Sequence, residues 1–218
     1  MARGAPALTQ MLALSRLVDI SAEALGPGPA AAQPDTGGAA RARELEALLR
    51  AKDGFLAFDG ALYVLPANAA AAALDLVRLN AGRWRAAYWH ECTGLFFFAV
   101  DALGDLFAFK DDKVVRFASE TGMTEPMADT LEAWAQMLLA DPAGEAGWPF
   151  AQLWRATNGP LRDGWRLTGK TPFVLGGDFD IGNLQTVDLQ DILAFRAGLA
   201  TRIHDLPEGA EIRMATPQ

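Results

Sequence analysis

The chain has 218 residues, 51% hydrophobic and 21% charged, the balance of a globular protein that buries a core of its own. Acidic residues exceed basic ones by eight, and a surface of that sign repels nucleic acid and anionic membrane while attracting basic proteins. A single cysteine, Cys92, excludes an internal disulfide, and no apolar run approaches the roughly 18 residues of a membrane span. Arg16 and Asp19 interrupt the first apolar stretch, so it lacks the pattern of a secretory leader, and the sequence reads as cytoplasmic.

Leu8, Met11, Leu12, Leu14, Leu17, Val18 and Leu25 recur at three- and four-residue spacing, which predicts an amphipathic helix over 7–25. Residues 26–38 are rich in Gly, Pro and Ala and read as a linker, making that helix a detachable element that docks on the body. A second helix is expected over 39–52, with Leu45, Leu48 and Leu49 on one side. Residues 55–58 and 62–65 form a strand pair about Asp59-Gly60, and 67–80 reads as helical. The continuous apolar run Leu95 to Val100 has the composition of a strand buried on both faces. With 106–109 and 114–118 it makes an antiparallel meander. A helix follows over 127–139, capped by Asp129 or Thr130, with Leu131, Trp134, Met137 and Leu138 on one stripe.

Residues 141–147 read as a loop and 150–157 as a short helix ending at Asn158-Gly159-Pro160. Extended segments are expected at 165–167 and 173–175, a helix at 188–200, and short closing strands at 203–206 and 210–214. Gly176-Gly177 must either turn or pass close to another backbone. The class is α+β: an antiparallel sheet meander flanked by helices. It divides into an N-terminal helix and linker (1–38), an α+β core (39–147) and a C-terminal α+β region (148–218).

His90-Glu91-Cys92 places three potential metal ligands in a row, but on a strand only His90 and Cys92 share a face. His204 is the sole other histidine, so ligand supply is short and no metal or cofactor is expected. The same shortage makes a Cys92–His204 nucleophile pair a matter of chance supply. Gly176-Gly177-Asp178 is too short to cradle a phosphate unaided. Asp101, Asp105, Asp111 and Asp112 fall at hairpin turns, where Asp bonds its local backbone. Trp84, Tyr88 and Trp89 precede the central strand, and Trp148, Trp154 and Trp165 frame the C-terminal part. Any of these that stay exposed suit a protein interface.

The stretch from Gly94 through Phe117, with Gly104-Asp105-Leu106-Phe107-Ala108-Phe109 and Val114, is followed by Glu120-Thr121-Gly122 and by a helix carrying Leu131 and Trp134. In this order of strand, strand, strand, acidic Gly-bearing loop and closing helix, roughly residues 55–140 resemble the SUKH superfamily. The Asn-Gly pair that members carry ahead of the sheet is not found before residue 94. A similar pattern, Leu153 to Gly159, occurs after it. The resemblance implies function by binding: bacterial members are commonly immunity proteins that neutralise toxins, often nucleases. On this reading the chain is not an enzyme. Asp101, Asp105, Asp111 and Asp112 are rim charges facing a basic toxin, and Trp84 and Trp89 are anchors, with no role in binding nucleic acid or membrane. Two alternatives stand beside it: a hydrolase or small-molecule binder using Gly176-Gly177-Asp178 and His204, and a structural or assembly subunit with an apolar surface about residues 7–25.

Overall fold

In a computed structural model that describes residues 11–27, 39–67, 74–88, 91–204 and 206, the apolar run becomes the strand β3 (Phe96–Val100), every residue of which is buried. It lies inside a six-stranded sheet whose spatial order is its chain order. The strands are β1 (Phe55–Ala57), β2 (Leu62–Val64), β3, β4 (Leu106–Lys110), β5 (Lys113–Ala118) and β6 (Met123–Ala128). Every neighbouring pair is antiparallel. Asp111 and Asp112 form the two-residue turn between β4 and β5, both with positive φ, the backbone that matches the twist of a hairpin.

Successive β3 side chains point to opposite faces, so its phenylalanines divide between two layers. On one face Trp134 of α5 (Leu131–Ala140) meets Phe98 and Phe107 edge-on, with ring centroids 5.1 and 5.4 Å away. On the other, Phe97 meets Trp84 of α4 (Trp84–Ala87) at 5.4 Å, and Tyr88 meets Phe117 at 5.0 Å. Helices α1 (Leu12–Ile20) and α2 (Ala39–Ala51) join α5 on the first side. On the second, α3 (Leu76–Asn80) packs on β3, and α4 on the last helix, α8 (Leu189–Ile203). A strand covered on both sides has no polar residues to alternate, hence the unbroken apolar run.

The first helix packs on its own chain. Leu14 and Leu17 are fully buried, and the Glu132 carboxylate of α5 accepts the α1 amides of Ala13 at 2.7 Å and Leu14 at 3.1 Å. At its other end Lys52 Nζ donates to Val18 O, Ser21 O and Ser21 Oγ. After α5 come α6 (Pro142–Ala146) and α7 (Trp148–Asn158), then a two-stranded ribbon of β7 (Trp165–Gly169) and β8 (Leu184–Asp188) that leads into α8.

Four local expectations are corrected. Residues 123–128 form the edge strand β6, so the helix expected from Met127 begins only at Leu131, and the exposed, proline-bearing sequence of β6 suits an edge. Of the two residues expected to cap α5, Thr130 does so, accepting Ala133 N at 3.0 Å. Residues 142–146 are helical, with Asp141 accepting Gly144 N. Phe173–Leu175 is a 3-10 turn, closed by Leu175 N to Pro172 O and Gly176 N to Phe173 O, and Ile203 belongs to α8. Of the expected helix over 67–80, Ala67 and residues 74–80 are described, and Leu76–Asn80 is helical. The expected strand at 210–214 lies outside the described residues. Among the described residues no helix is long and apolar enough to cross a membrane.

Candidate interaction surface

The four aspartates do not form one rim. Asp101 and Asp105 sit at the turn before β4, and Asp111 and Asp112 at the turn after it, roughly 20 Å away along an extended strand. Asp111 and Asp112 are exposed, and Asp112 lies 3.3 Å from Arg41 Nε. Asp101 is buried: its Oδ1 accepts Leu103 N and Asp105 N, each at 2.9 Å, and it closes the turn rather than facing a partner. Burial, with Asp105 beside it, pushes the Asp101 carboxyl up to about 7. Half-buried Asp105 accepts Ser119 N at 2.9 Å and Ser119 Oγ at 3.0 Å. Trp84 is only 5% exposed and belongs to the core, so it is not an anchor. Trp89 lies outside the described residues.

Next to that turn the fold buries two arginines. Arg196 of α8 donates through Nη1 to Leu103 O at 2.8 Å and Ser119 Oγ at 2.7 Å, and pairs with Glu120 at 3.3 Å. Glu120 also accepts Val174 N at 2.8 Å, so one buried ion pair fixes α8, the β5–β6 turn and the segment after β7 to each other. Arg166 is fully buried with its guanidinium 4.6 Å from the Tyr63 ring centre, and burial lowers its pKa to about 10. Arg196 has a trace in the sequence. It occupies the apolar stripe of α8, Leu189, Ile192, Leu193, Arg196, Ala197 and Ala200, where a charge has to be buried.

The segment held by Glu120 is the connection between β7 and β8. Asn183 ties it into a closed loop: Oδ1 accepts Thr171 N at 2.9 Å, and Nδ2 donates to Thr171 O at 3.0 Å and Asp178 O at 2.9 Å. A Cβ on Gly177 would lie 2.1 Å from Thr171 O, and Gly176 has φ +84°, so this glycine pair both turns and approaches another backbone. Phe173 and Phe179 stack across the loop with centroids 4.1 Å apart and planes 7° from parallel, and Phe150 of α7 lies 6.2 Å from Phe179. Despite this support Phe179 is 62% exposed, between exposed Asp178 and Asp180, with exposed Val174 on the same loop. Sequence reasoning passed over this side chain. Its one signal was a large aromatic set directly between Asp178 and Asp180 in a Gly-rich stretch.

His204 stands at the end of α8 with Nδ1 3.8 Å from Glu91 Oε1. The cavity beside it, bounded by Tyr88, Glu91 and Thr121, measures ≈10 Å³, room for about one water, and Gly176, Gly177 and Asp178 do not line it. Cys92 is buried, and burial pushes its thiol up to about 11.

No protein-family model matches this chain, and no curated protein matches it. A crystal structure of Atu4351 from Agrobacterium tumefaciens superposes on it with a TM-score of 0.54 at 13% identity, over 80% of this chain and 84% of that one. The likeness is one of fold.

Proposed function

We propose that the chain acts by binding a basic protein through the loop between β7 and β8, as a non-enzymatic protein of the SUKH-like immunity type. The observation that carries this is Phe179, an exposed ring backed by Phe173 on a loop that Asn183 and Glu120 hold in place. An aromatic already fixed in its bound position loses little entropy on docking. Asp178 and Asp180 flank it with negative charge, in keeping with the net charge of −8, which speeds encounter with a basic partner. Support for the immunity type is the resemblance itself, whose matching residues Phe107 and Trp134 pack on one another.

The test is purification of the tagged chain from its host, mass spectrometry of what co-elutes, and titration of the purified partner. Phe179→Ala is expected to weaken binding by about 30-fold, the scale of an interface hot spot, without lowering the melting temperature. Reversing Asp178 and Asp180 to Lys is expected to slow association most at low salt. Co-expression with the partner is expected to rescue a host that the partner alone poisons. A partner bound equally well by all variants removes the loop from the reading, and a partner that is not toxic removes the immunity type.

A further inference from the structure

Trp154 and Trp165 come from different elements, and the fold sets both around one cleft of ≈220 Å³. Trp154 and Asn158 lie one helical turn apart at the end of α7. Trp165 and Thr186 share a face of the ribbon, because Trp165 pairs with Asp188, Leu167 pairs with Thr186, and strand side chains alternate. Pro160 and Arg162, from the connection between α7 and β7, close the cleft. Both indoles are half-buried, while Asn158 and Arg162 are exposed. The Arg162 guanidinium carbon lies 6.0 Å from the Trp165 ring centre.

We propose that this cleft is a binding site for a single pyranose ring of a carbohydrate. A pyranose has apolar C–H faces and a hydroxyl edge. The indoles offer apolar, electron-rich surface to the first. Asn158 Nδ2 is engaged by Trp154 O and Thr157 Oγ1, so the Asn158 amide oxygen offers an acceptor to the second, beside the Thr186 hydroxyl and the donors of the Arg162 guanidinium. Arg162 is the one charged residue lining the cleft, and it repels a lysine or other cationic ligand. A wholly apolar ligand would strip water from the amide, hydroxyl and guanidinium without replacing their hydrogen bonds. Phe179 and the glycine loop do not line this cleft, so the site is separate from the proposed protein surface.

The experiment titrates the full chain with N-acetylglucosamine, glucose and galactose in turn, followed by calorimetry and tryptophan emission, with sodium benzoate as a planar anion for comparison. A saturable response to at least one sugar, with a dissociation constant in the millimolar range, is expected. Trp165→Ala and Asn158→Ala are each expected to weaken it about tenfold or more. Asn158 is exposed, so its variant keeps the test open if Trp165→Ala unfolds. No saturable response to any of the three sugars overturns the site, as does a response to benzoate alone or one that both folded variants retain.

Discussion

A carboxylate that closes a turn from inside the protein gives up water to do so. Asp101 keeps two backbone hydrogen bonds that favour its charge, but loss of hydration and the neighbouring Asp105 outweigh them, and its carboxyl titrates near 7 rather than near 4. The sign of the effect on stability follows. Below about pH 4 the group is neutral in the folded and unfolded chain alike. Between there and 7 the folded chain holds a proton that the unfolded chain has released, so this group's contribution to stability falls as pH rises and levels off above 7. Stability measured by urea unfolding is expected to drop by about 1–3 kcal/mol from this group between about pH 5 and about pH 8. Asp101→Asn retains an oxygen acceptor and carries no charge, and is expected to remove more than half of that drop. An unchanged slope in the variant would assign the pH dependence to other groups.

Among the elements, the helices of the first layer close one another's ends. Glu44 of α2 accepts Leu131 N, the first amide of α5, at 2.8 Å, and Glu132 of α5 accepts two amides of α1. A carboxylate at a helix N-terminus supplies both a missing acceptor and a favourable charge for the macrodipole. Glu132→Ala is therefore expected to cost about 1 kcal/mol and to raise hydrogen exchange across Leu12–Ile20 well before the sheet exchanges. Equal protection in variant and wild type would show that burial of Leu14 and Leu17 alone holds α1.

These caps also mark where the sequence stopped being readable. Periodicity placed α2, β3, β4, β5 and α7, because each is held by its own apolar pattern. It missed β6, whose residues alternate weakly and include Pro126, because an edge strand needs only its partner's hydrogen bonds. It missed β8, where Leu184 is the one buried residue. The aspartates were legible as turn residues, but which turn turns inward is decided by α8 and the ribbon, whose residues lie far along the chain. Phe179 was obscured for the same reason: its support comes from Phe173 and Phe150, and pairing across a loop leaves no period to read.

At the scale of the whole molecule, the composition divides the chain at the two Gly- and Pro-rich stretches, yet the core does not divide there. Leu14 of α1, Phe98 of the sheet, Ala151 of α7, Leu167 of the ribbon and Leu193 of α8 belong to one continuous cluster of buried residues. The ribbon is joined to the meander by backbone, with Leu167 N donating to Ala102 O at 2.9 Å, and by the Arg196–Glu120 pair. A core shared in this way predicts one cooperative transition. Leu167→Ala removes a fully buried side chain from the C-terminal part and is expected to cost about 2–5 kcal/mol. The cost is expected to appear everywhere at once: in hydrogen exchange under increasing urea, peptides from 96–118 and from 165–200 lose protection at the same, lowered denaturant concentration. Were the C-terminal part a separate unit, 165–200 would open early while 96–118 kept its wild-type protection. Coincidence of the two therefore tests whether the buried arginine pair and the ribbon make the appended region part of the fold.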